Sequence, residues 1–345
     1  METIIECVPN FSEGRDARVI ERIGDSISRI EGVKLLGIEP DKDYNRTVVT
    51  FIGSPDAVVN AAFEATKTAT ELIDMRLHTG AHPRLGATDV VPFIPVRGAS
   101  MDDCVELSKR YASRVGAELS IPVYLYEASA QKPERRNLAD VRKGEYEGLA
   151  EKLKSDLWAP DFGPREFNAR SGGTITGARK ILIAYNVNLN TPDVTVAQEI
   201  ALRIRESGRP EKDASGATLK DERGQIRRIP GTLKSVKAMG VLLERCNIAQ
   251  VSINLVDYHI TPPHIAFEEV KRQAQTLGAV ATGSELVGLM PLEAMLEAGR
   301  FYAARSGVNV ETESESALVE RAVRELGLSE LEEFSARTKI IEYQL

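Results

Sequence analysis

Two histidines, His78 and His82, stand four residues apart in LHTGAHPRLGATDVVPFIPV, residues 77–96, and the chain holds four histidines in all. In HExxH zinc proteases that spacing puts two imidazoles on one helix face. Here the spacer is TGA, without a glutamate; Gly80 separates the rings and Pro83 follows the second. Both residues disfavour a helix through this point, so the i, i+4 geometry fails, and no third ligand stands near. No metal is expected. A loop imidazole whose backbone is fixed between Gly and Pro, with an unperturbed pKa of about 6.5, suits proton transfer near neutral pH. Composition alone still favours a structural place for each histidine, and His259 and His264, beside the prolines of the second half, keep that reading.

Other chemistry is weaker. GGTITGAR spaces Gly172 and Gly177 like a phosphate loop, but Ala178-Arg179 replaces the Lys-Ser/Thr pair and the glycines precede a strand instead of following one. A nucleotide-triphosphate site is therefore not expected. Glycines there allow close backbone approach to something flat or anionic, or form a turn entering a strand; composition does not choose. There is no GxSxG. Cys7 lies far in sequence from any histidine, and nothing favours a Cys–His nucleophile. The three cysteines, Cys7, Cys104 and Cys246, form no CxxC pair and read as buried free thiols in a reducing compartment.

The elements that must position these residues alternate. IIECV reads as a strand, followed by a helix with Val19, Ile20, Ile23, Ile27 and Ile30 on one face. VKLLGIE and TVVTFIG read as strands flanking the turn PDKDYN. Ser54-Pro55 opens a helix running to about Met75. DVVPFIPV is extended, because its prolines exclude a helix interior. Ser100, with Asp103 three residues on, caps the next helix, and IPVYLYE closes the block as a strand. A second block repeats the rhythm: strand KILIAYNVNL, a helix capped at Thr191-Pro192, strands KSVKAMGVLL and AQVSINLVDY, and a helix introduced by Thr261-Pro262-Pro263 and ended by Gly278. Each half fits β-α-β-β-α-β, the split βαβ pattern. Helices on one face would leave an open sheet face in each half; two such faces can pack together and enclose a ligand cleft. Between the halves, residues 155–180 are rich in Gly, Pro and Asn. Trp158, Phe162 and Phe167 are costly to leave in water, so this segment is expected to pack. ESGRPEKDASGATLKDERGQIRRIPGT reads as a mobile surface insertion.

A length of 345 residues suits two cores. A net charge of −7 argues against nucleic acid, which asks for a basic face, while leaving room for a local basic groove. No stretch approaches the ~18–20 apolar residues of a membrane span, and the N-terminus lacks the pattern of a signal peptide, so a cytoplasmic protein is expected.

The segments ECVPNFSEGR, NRTVVTFIG, LIDMRLHTGAHPRLGATDVVPFIPVRG, IPVYLYE, WAPDFGP, GARKILIAYNVNL and IIEY, in this order and across nearly the whole chain, resemble the glutamate formiminotransferase family, whose domain forms the N-terminal part of formiminotransferase-cyclodeaminase. The resemblance ends at Leu345, which suggests a stand-alone transferase. It implies transfer of the formimino group of N-formimino-L-glutamate to N5 of tetrahydrofolate as co-substrate, in histidine breakdown and one-carbon metabolism, without a metal. It also implies an α/β homodimer. Its subdomains, residues 1–179 and 180–345, would each have a mixed sheet with helices on the outer face, the sheets packed face to face. Carried over motif by motif, the catalytic general base and acid falls on His82, in His-Pro-Arg. His78, Asp89 and Glu39 take supporting roles, with glutamate at 39 where the animal enzymes are expected to have aspartate. The folate segment falls on Gly163, Pro164, Arg165, Glu166, Phe167, Asn168, Ala169, Arg170, Ser171 and Gly172. Phe167 would face the pterin, and the Arg165 and Arg170 forks the glutamate tail. The rival readings are an amidine hydrolase on formiminoglutamate, which needs an activated water, and a folate-binding protein or formyl-folate enzyme without formimino transfer.

Overall fold

The structure, a computed structural model, describes residues 3–345. It falls into two compact units that meet in sequence at Lys180 and Ile181.

The first unit runs β1 (Ile4–Cys7), β2 (Asn10–Phe11), α1 (Ala17–Ser28), β3 (Val33–Asp41), β4 (Arg46–Gly53), α2 (Pro55–Leu72), β5 (Thr88–Arg97), α3 (Met101–Glu118), β6 (Val123–Glu127), α4 (Leu138–Arg142), α5 (Glu145–Lys152) and β7 (Thr174–Ala178). Its sheet is ordered β3–β4–β1/β2–β5–β7–β6, antiparallel up to β5 and parallel from β5 to β6. Local signals start the helices. The Asp16 carboxylate accepts from Arg18 N at the head of α1, and Ile20, Ile23 and Ile27 form its buried face. Ser100 and Asp103 close a reciprocal capping box on α3. α2 starts at Pro55 as expected but ends at Leu72, because Ile73 turns to extended backbone. These three helices cover one face of the sheet, over Cys7, Phe11, Val49, Phe51, Val91 and Phe93.

The other face is not left wholly open. Alternate residues of the same strands, Val90, Tyr124, Tyr126 and Ile175, point the opposite way and meet Val141, Leu149 and Leu153 of the α4–α5 region. Trp158 and Phe167 pack onto this smaller cluster and Phe162 onto the main core. The expectation that residues 155–180 pack is met, each such aromatic contributing about 1.5–3 kcal/mol when fully buried.

The second unit runs β8 (Ile183–Leu189), α6 (Val194–Ile204), β9 (Arg209–Pro210), β10 (Arg228–Ile229), β11 (Val236–Leu243), β12 (Ile248–Leu255), α7 (Pro263–Thr276), β13 (Ala281–Val287), α8 (Leu292–Arg305), α9 (Glu315–Glu325) and α10 (Ala336–Lys339). Its antiparallel sheet is ordered β11–β12–β8–β13. Numbered within each β-α-β-β-α-β run, both units place their strands in the order 2-3-1-4, as β3–β4–β1–β5 and as β11–β12–β8–β13. The similarity lies in topology, without residue-level repetition.

Three local expectations need correction. α6 is capped by Asp193, whose carboxylate accepts from Thr195 N, and not by Thr191, whose hydroxyl accepts from Asp193 N one step earlier. The insertion after α6 is exposed, as expected, but carries regular local structure. β9 pairs with β10, and Asp213 and Asp221 each fix a turn by accepting from backbone N–H groups two and four residues on. Cys7 and Cys104 are buried, whereas Cys246 is exposed. Among the described residues no helix is long and apolar enough to cross a membrane.

Candidate active site

The His78–His82 motif sits in the connection from α2 to β5, which packs on the turn between β3 and β4. Asp41 Oδ1 shapes that turn by accepting from the amides of Asp43 and Tyr44. Asn45 follows in the left-handed region and ties the two segments, accepting from Gly14 N and donating to Thr79 O at 2.9 Å. Gly80 is required here: a Cβ would stand 2.4 Å from Tyr44 O. The glycine that argues against a helical zinc site is thus the one that lets the loop lie on the turn.

The two imidazoles have different surroundings. His78 is held at both nitrogens, Nε2 against Asn45 O at 3.0 Å and Nδ1 accepting from Arg84 Nε at 3.3 Å. A carbonyl only accepts, so the proton lies on Nε2 and the ring is neutral. Burial lowers its pKa, the Asn45 bond opposes that, and the Arg84 charge adds a smaller push down. The buried Arg84 guanidinium goes on to bond Glu145 and Glu147. His78 is a fixed strut between the loop and α5.

His82 has one nitrogen engaged. Arg46 Nη1, the first residue of β4, stands 2.8 Å from His82 Nε2 and 2.9 Å from Asn10 Oδ1 on β2. A guanidinium only donates, so Nε2 is the acceptor and the proton lies on Nδ1. That Nδ1 is buried without a partner, as is Arg46 Nε. The Tyr44 ring meets the imidazole edge-on at 5.9 Å. Burial first, then the charges of Arg46 and Arg142, push the His82 pKa down to about 4, while Asp89 pulls the other way. Burial first and the neighbouring cations second thus hold the ring, without a ligand, below the neutral range expected of a base. Burial also pulls the Arg46 pKa down, though it stays charged near neutrality.

Asp89, on β5, is buried and occupied. Its Oδ1 accepts from Leu85 N at 2.9 Å and its Oδ2 is paired with Arg142 of α4. It braces the loop and sets the field on His82. Ser12, Tyr44, Asn45, Arg46, His78, His82, Arg84 and Asp89 together line a pocket whose side chains leave no room between them for a water molecule. Arg84 is offset by Glu145 and Glu147 and Asp89 by Arg142, so Arg46, beside two neutral histidines, is the guanidinium of this lining that could meet an anion. Glu39 is not among the lining residues. It lies on β3 opposite Val48, and by strand alternation it shares the sheet face of Arg46.

Residues 163–172 form a neighbouring feature. Pro164, Glu166, Phe167, Asn168 and Ala169, with Ser120, line a separate cleft of about 390 Å³. Phe167 lies 5.4 Å from the Tyr146 ring, and Tyr146 Oη donates to Ala169 O. The arginine forks are occupied. Arg165 bonds Leu153 O, Lys154 O and Asp156, and Arg170 bonds Thr70 O and Glu71 O and pairs with Asp74. Backbone carbonyls at the ends of α5 and α2 take these donors in the structure, so an expected role on a glutamate tail would require an exchange of partners. The segment's end reaches the histidine loop: Ala87 N donates to Ser171 O at 2.8 Å, Met75 N to Arg170 O at 2.9 Å, and Gly172 bridges Gly86. The structure therefore gathers His78, His82 and Asp89 in one pocket and joins residues 163–172 to it through the backbone, with no shared lining residue. Sequence reasoning missed Arg46, Asn10, Asn45 and Arg84, although all lie within or beside the quoted motifs (PNFSEGR, DYNRT and HPR).

Among the described residues no cluster of three or more His, Cys, Asp or Glu could hold a metal ion. Comparison with known proteins then bears on the whole chain. The model of the formiminotransferase domain, N-terminal subdomain, matches residues 4–179, and that of the formiminotransferase domain matches residues 184–345. A formimidoyltransferase-cyclodeaminase of Rattus norvegicus is 48% identical over 99% of this chain and 60% of its own length. Glutamate formimidoyltransferases of Streptococcus pyogenes serotype M1 and Thermoplasma acidophilum are 43% and 42% identical, each over 88% of this chain and 94% of the relative. The chain thus spans about 60% of the length of the cyclodeaminase-named relatives and nearly all of the others.

Proposed function

The chain belongs to the formiminotransferase family, and on that premise we propose that it transfers the formimino group of N-formimino-L-glutamate to N5 of tetrahydrofolate. The observation that carries the reading is the His82 imidazole, half-buried beside a guanidinium and with its buried Nδ1 unpartnered, in a pocket suited to an anion.

The donor is an amidine bearing two carboxylates. Attack by folate N5 on the protonated amidine carbon forms one C–N bond and sends the C=N electron pair onto the terminal nitrogen. The carbon is then tetrahedral, and N5 carries a surplus proton. His82 takes that proton and gives one to the glutamate nitrogen. The C–N bond to glutamate breaks, its electron pair leaves with the amine, and the terminal nitrogen restores the amidine. One imidazole serves both transfers, a contribution typically worth ~10²–10⁴ in rate. Holding both substrates in place adds a separate factor. Glu39, on the sheet face it shares with Arg46, is the carboxylate proposed to favour the amidinium as its charge persists. Asp89 acts one step removed, through Arg142 and the loop.

Tetrahydrofolate, as co-substrate, fits the cleft of residues 164–169 in part. Phe167 beside Tyr146 offers an aromatic surface for the pterin, and the Glu166 carboxylate an acceptor for its N–H edge. The same reading carries a cytoplasmic homodimer. The test is direct: incubate the protein with N-formimino-L-glutamate and tetrahydrofolate and measure released glutamate and formimino-folate. Equimolar appearance of both supports transfer. Glutamate released without folate points to hydrolysis and overturns the proposal.

A further inference from the structure

We infer that Arg46 is the carboxylate-binding residue of the His82 pocket, and that its hydrogen bond to His82 is a latch that the anionic donor opens. The inference rests on the function proposed above and names the contact by which that substrate readies the base.

The argument starts from a conflict. A general base needs a lone pair, and the exposed alternative at His82 is absent: Nδ1 carries the proton, and Nε2 faces Arg46 Nη1 at 2.8 Å. In this arrangement the ring can donate but not accept. The pocket is also closed on itself, since its side chains leave no space for water, so no ligand enters without moving a contact. The Arg46–His82 bond is the one to move. The same Arg46 Nη1 also donates to Asn10 Oδ1 at 2.9 Å, which holds the guanidinium in place, and its Nε is buried and unpartnered, a donor aimed at nothing. A carboxylate offers two acceptor oxygens to a guanidinium and forms charge-assisted, often paired, bonds, whereas an imidazole offers one neutral acceptor. A carboxylate that enters this pocket therefore outcompetes His82 for the guanidinium.

Substrate chemistry fits the exchange. In N-formimino-L-glutamate the α-carboxylate and the nitrogen that must leave are attached to the same carbon. A carboxylate seated on Arg46 thus delivers that nitrogen to the imidazole that Arg46 has just released. Neutralising the guanidinium also removes the nearest cation from the ring. The charged and titratable groups facing His82 are Arg46 from β4, Arg142 from α4, Asp89 from β5 and Tyr44 from the preceding turn. His78 and Arg84 line the same pocket. Arg142 is already paired with Asp89, which leaves Arg46 as the cation whose charge a ligand can offset. Without donor the ring is a weak base; with donor it recovers the lone pair and the affinity for a proton that the transfer needs.

The test reads the ring itself. Histidine side-chain NMR of the whole protein, with the His82 signal assigned through His82→Ala, gives its titration midpoint with and without N-formyl-L-glutamate, an unreactive relative of the donor with both carboxylates. The expected result is a midpoint near 4 without ligand that rises toward about 6.5 with it, while His264 does not move. The α-amide of the same ligand, lacking that carboxylate, leaves His82 where it was. Arg46→Gln is expected to raise KM for the donor by roughly a hundredfold, to change kcat by much less, and to leave KM for folate unchanged, with Arg46→Lys recovering part of the loss. A merely structural Arg46 would lower kcat and both substrate affinities together. A wild-type midpoint that ignores the carboxylate overturns the latch whether or not transfer is seen, and requires no variant to fold. Failure of the wild type to transfer the formimino group overturns the function instead, whether or not the midpoint shifts.

Discussion

The two units place their strands in the same order, yet the first carries the histidine-lined pocket while the second has its cleft elsewhere, between α9 and α10, and the difference lies in equivalent connections. In the first unit the chain between α2 and β5, residues 73–87, is long enough to fold back on the β3–β4 turn and bring His78, His82 and Arg84 to it. In the second, the chain between α7 and β13 is residues 277–280, a short turn at Gly278. Each unit also has a histidine held down to about 4 with Nδ1 buried and unpartnered, His82 in one and His264 in the other. The causes differ. Burial acts alone on His264, stacked on Phe301 at 4.7 Å and opposed by Glu268, whereas His82 is also depressed by arginines. A lowered pKa alone does not single out a candidate site; one lowered by cations at a pocket does.

The largest effect should separate the two histidines. His82→Ala is expected to lower kcat by ~10²–10⁴, while His264→Ala leaves kcat within about threefold. Steady-state kinetics on both variants check this, and equal losses would end the contrast. Next come the ion pairs. Asp89→Asn strands the mostly buried Arg142 and should cost about 3–5 kcal/mol in denaturant unfolding. Glu293→Gln, which breaks a half-exposed pair with Arg300 in the second unit, should cost under about 0.5 kcal/mol.

The glycines of the two connections sharpen the point. Gly80→Ala pushes a Cβ against Tyr44 O and is expected to cost about 2–3 kcal/mol and to displace the histidine loop, visible as lost activity. Gly278→Ala adds a Cβ to open space; only its φ of +73° penalises it, by about 1 kcal/mol, with activity retained. The remaining contrast is that of pH on stability. A histidine whose folded pKa lies below its unfolded value favours folding while neutral. As pH falls the unfolded chain binds the proton first, so this stability is full above about 6.5 and drains away toward about 4. His82 is half-buried and His264 buried, and together they should account for about 1–3 kcal/mol over that window. Unfolding midpoints of the two alanine variants against pH, each flatter than wild type, measure it.

What the sequence made legible was what it encodes locally. The Ser100–Asp103 capping box, the Ile20–Ile23–Ile27 face and the extended, proline-bearing β5 depend on neighbours a few residues away. Asp193 was overlooked as the α6 cap because Thr191-Pro192 offers an equally local signal and only the backbone path separates them. α4 and α5 are short, and Val141, Leu149 and Leu153 are too few to show a period. The insertion looked mobile because it is polar, although Asp213 and Asp221 give its turns internal partners. His82 was found through the family motif, and Arg46 was not, because its partners Asn10 and His82 are both 36 residues distant in the chain.

The only tryptophan, Trp158, packs on the small cluster of the first unit, with Lys152 Nζ 4.3 Å from its ring centre and its carbonyl held by Tyr124. Tryptophan emission therefore reports on one half of the molecule alone, whereas far-ultraviolet dichroism sees both. If the units unfold separately, the two optical signals will give different midpoints, and the glowing half will be the one that holds His82.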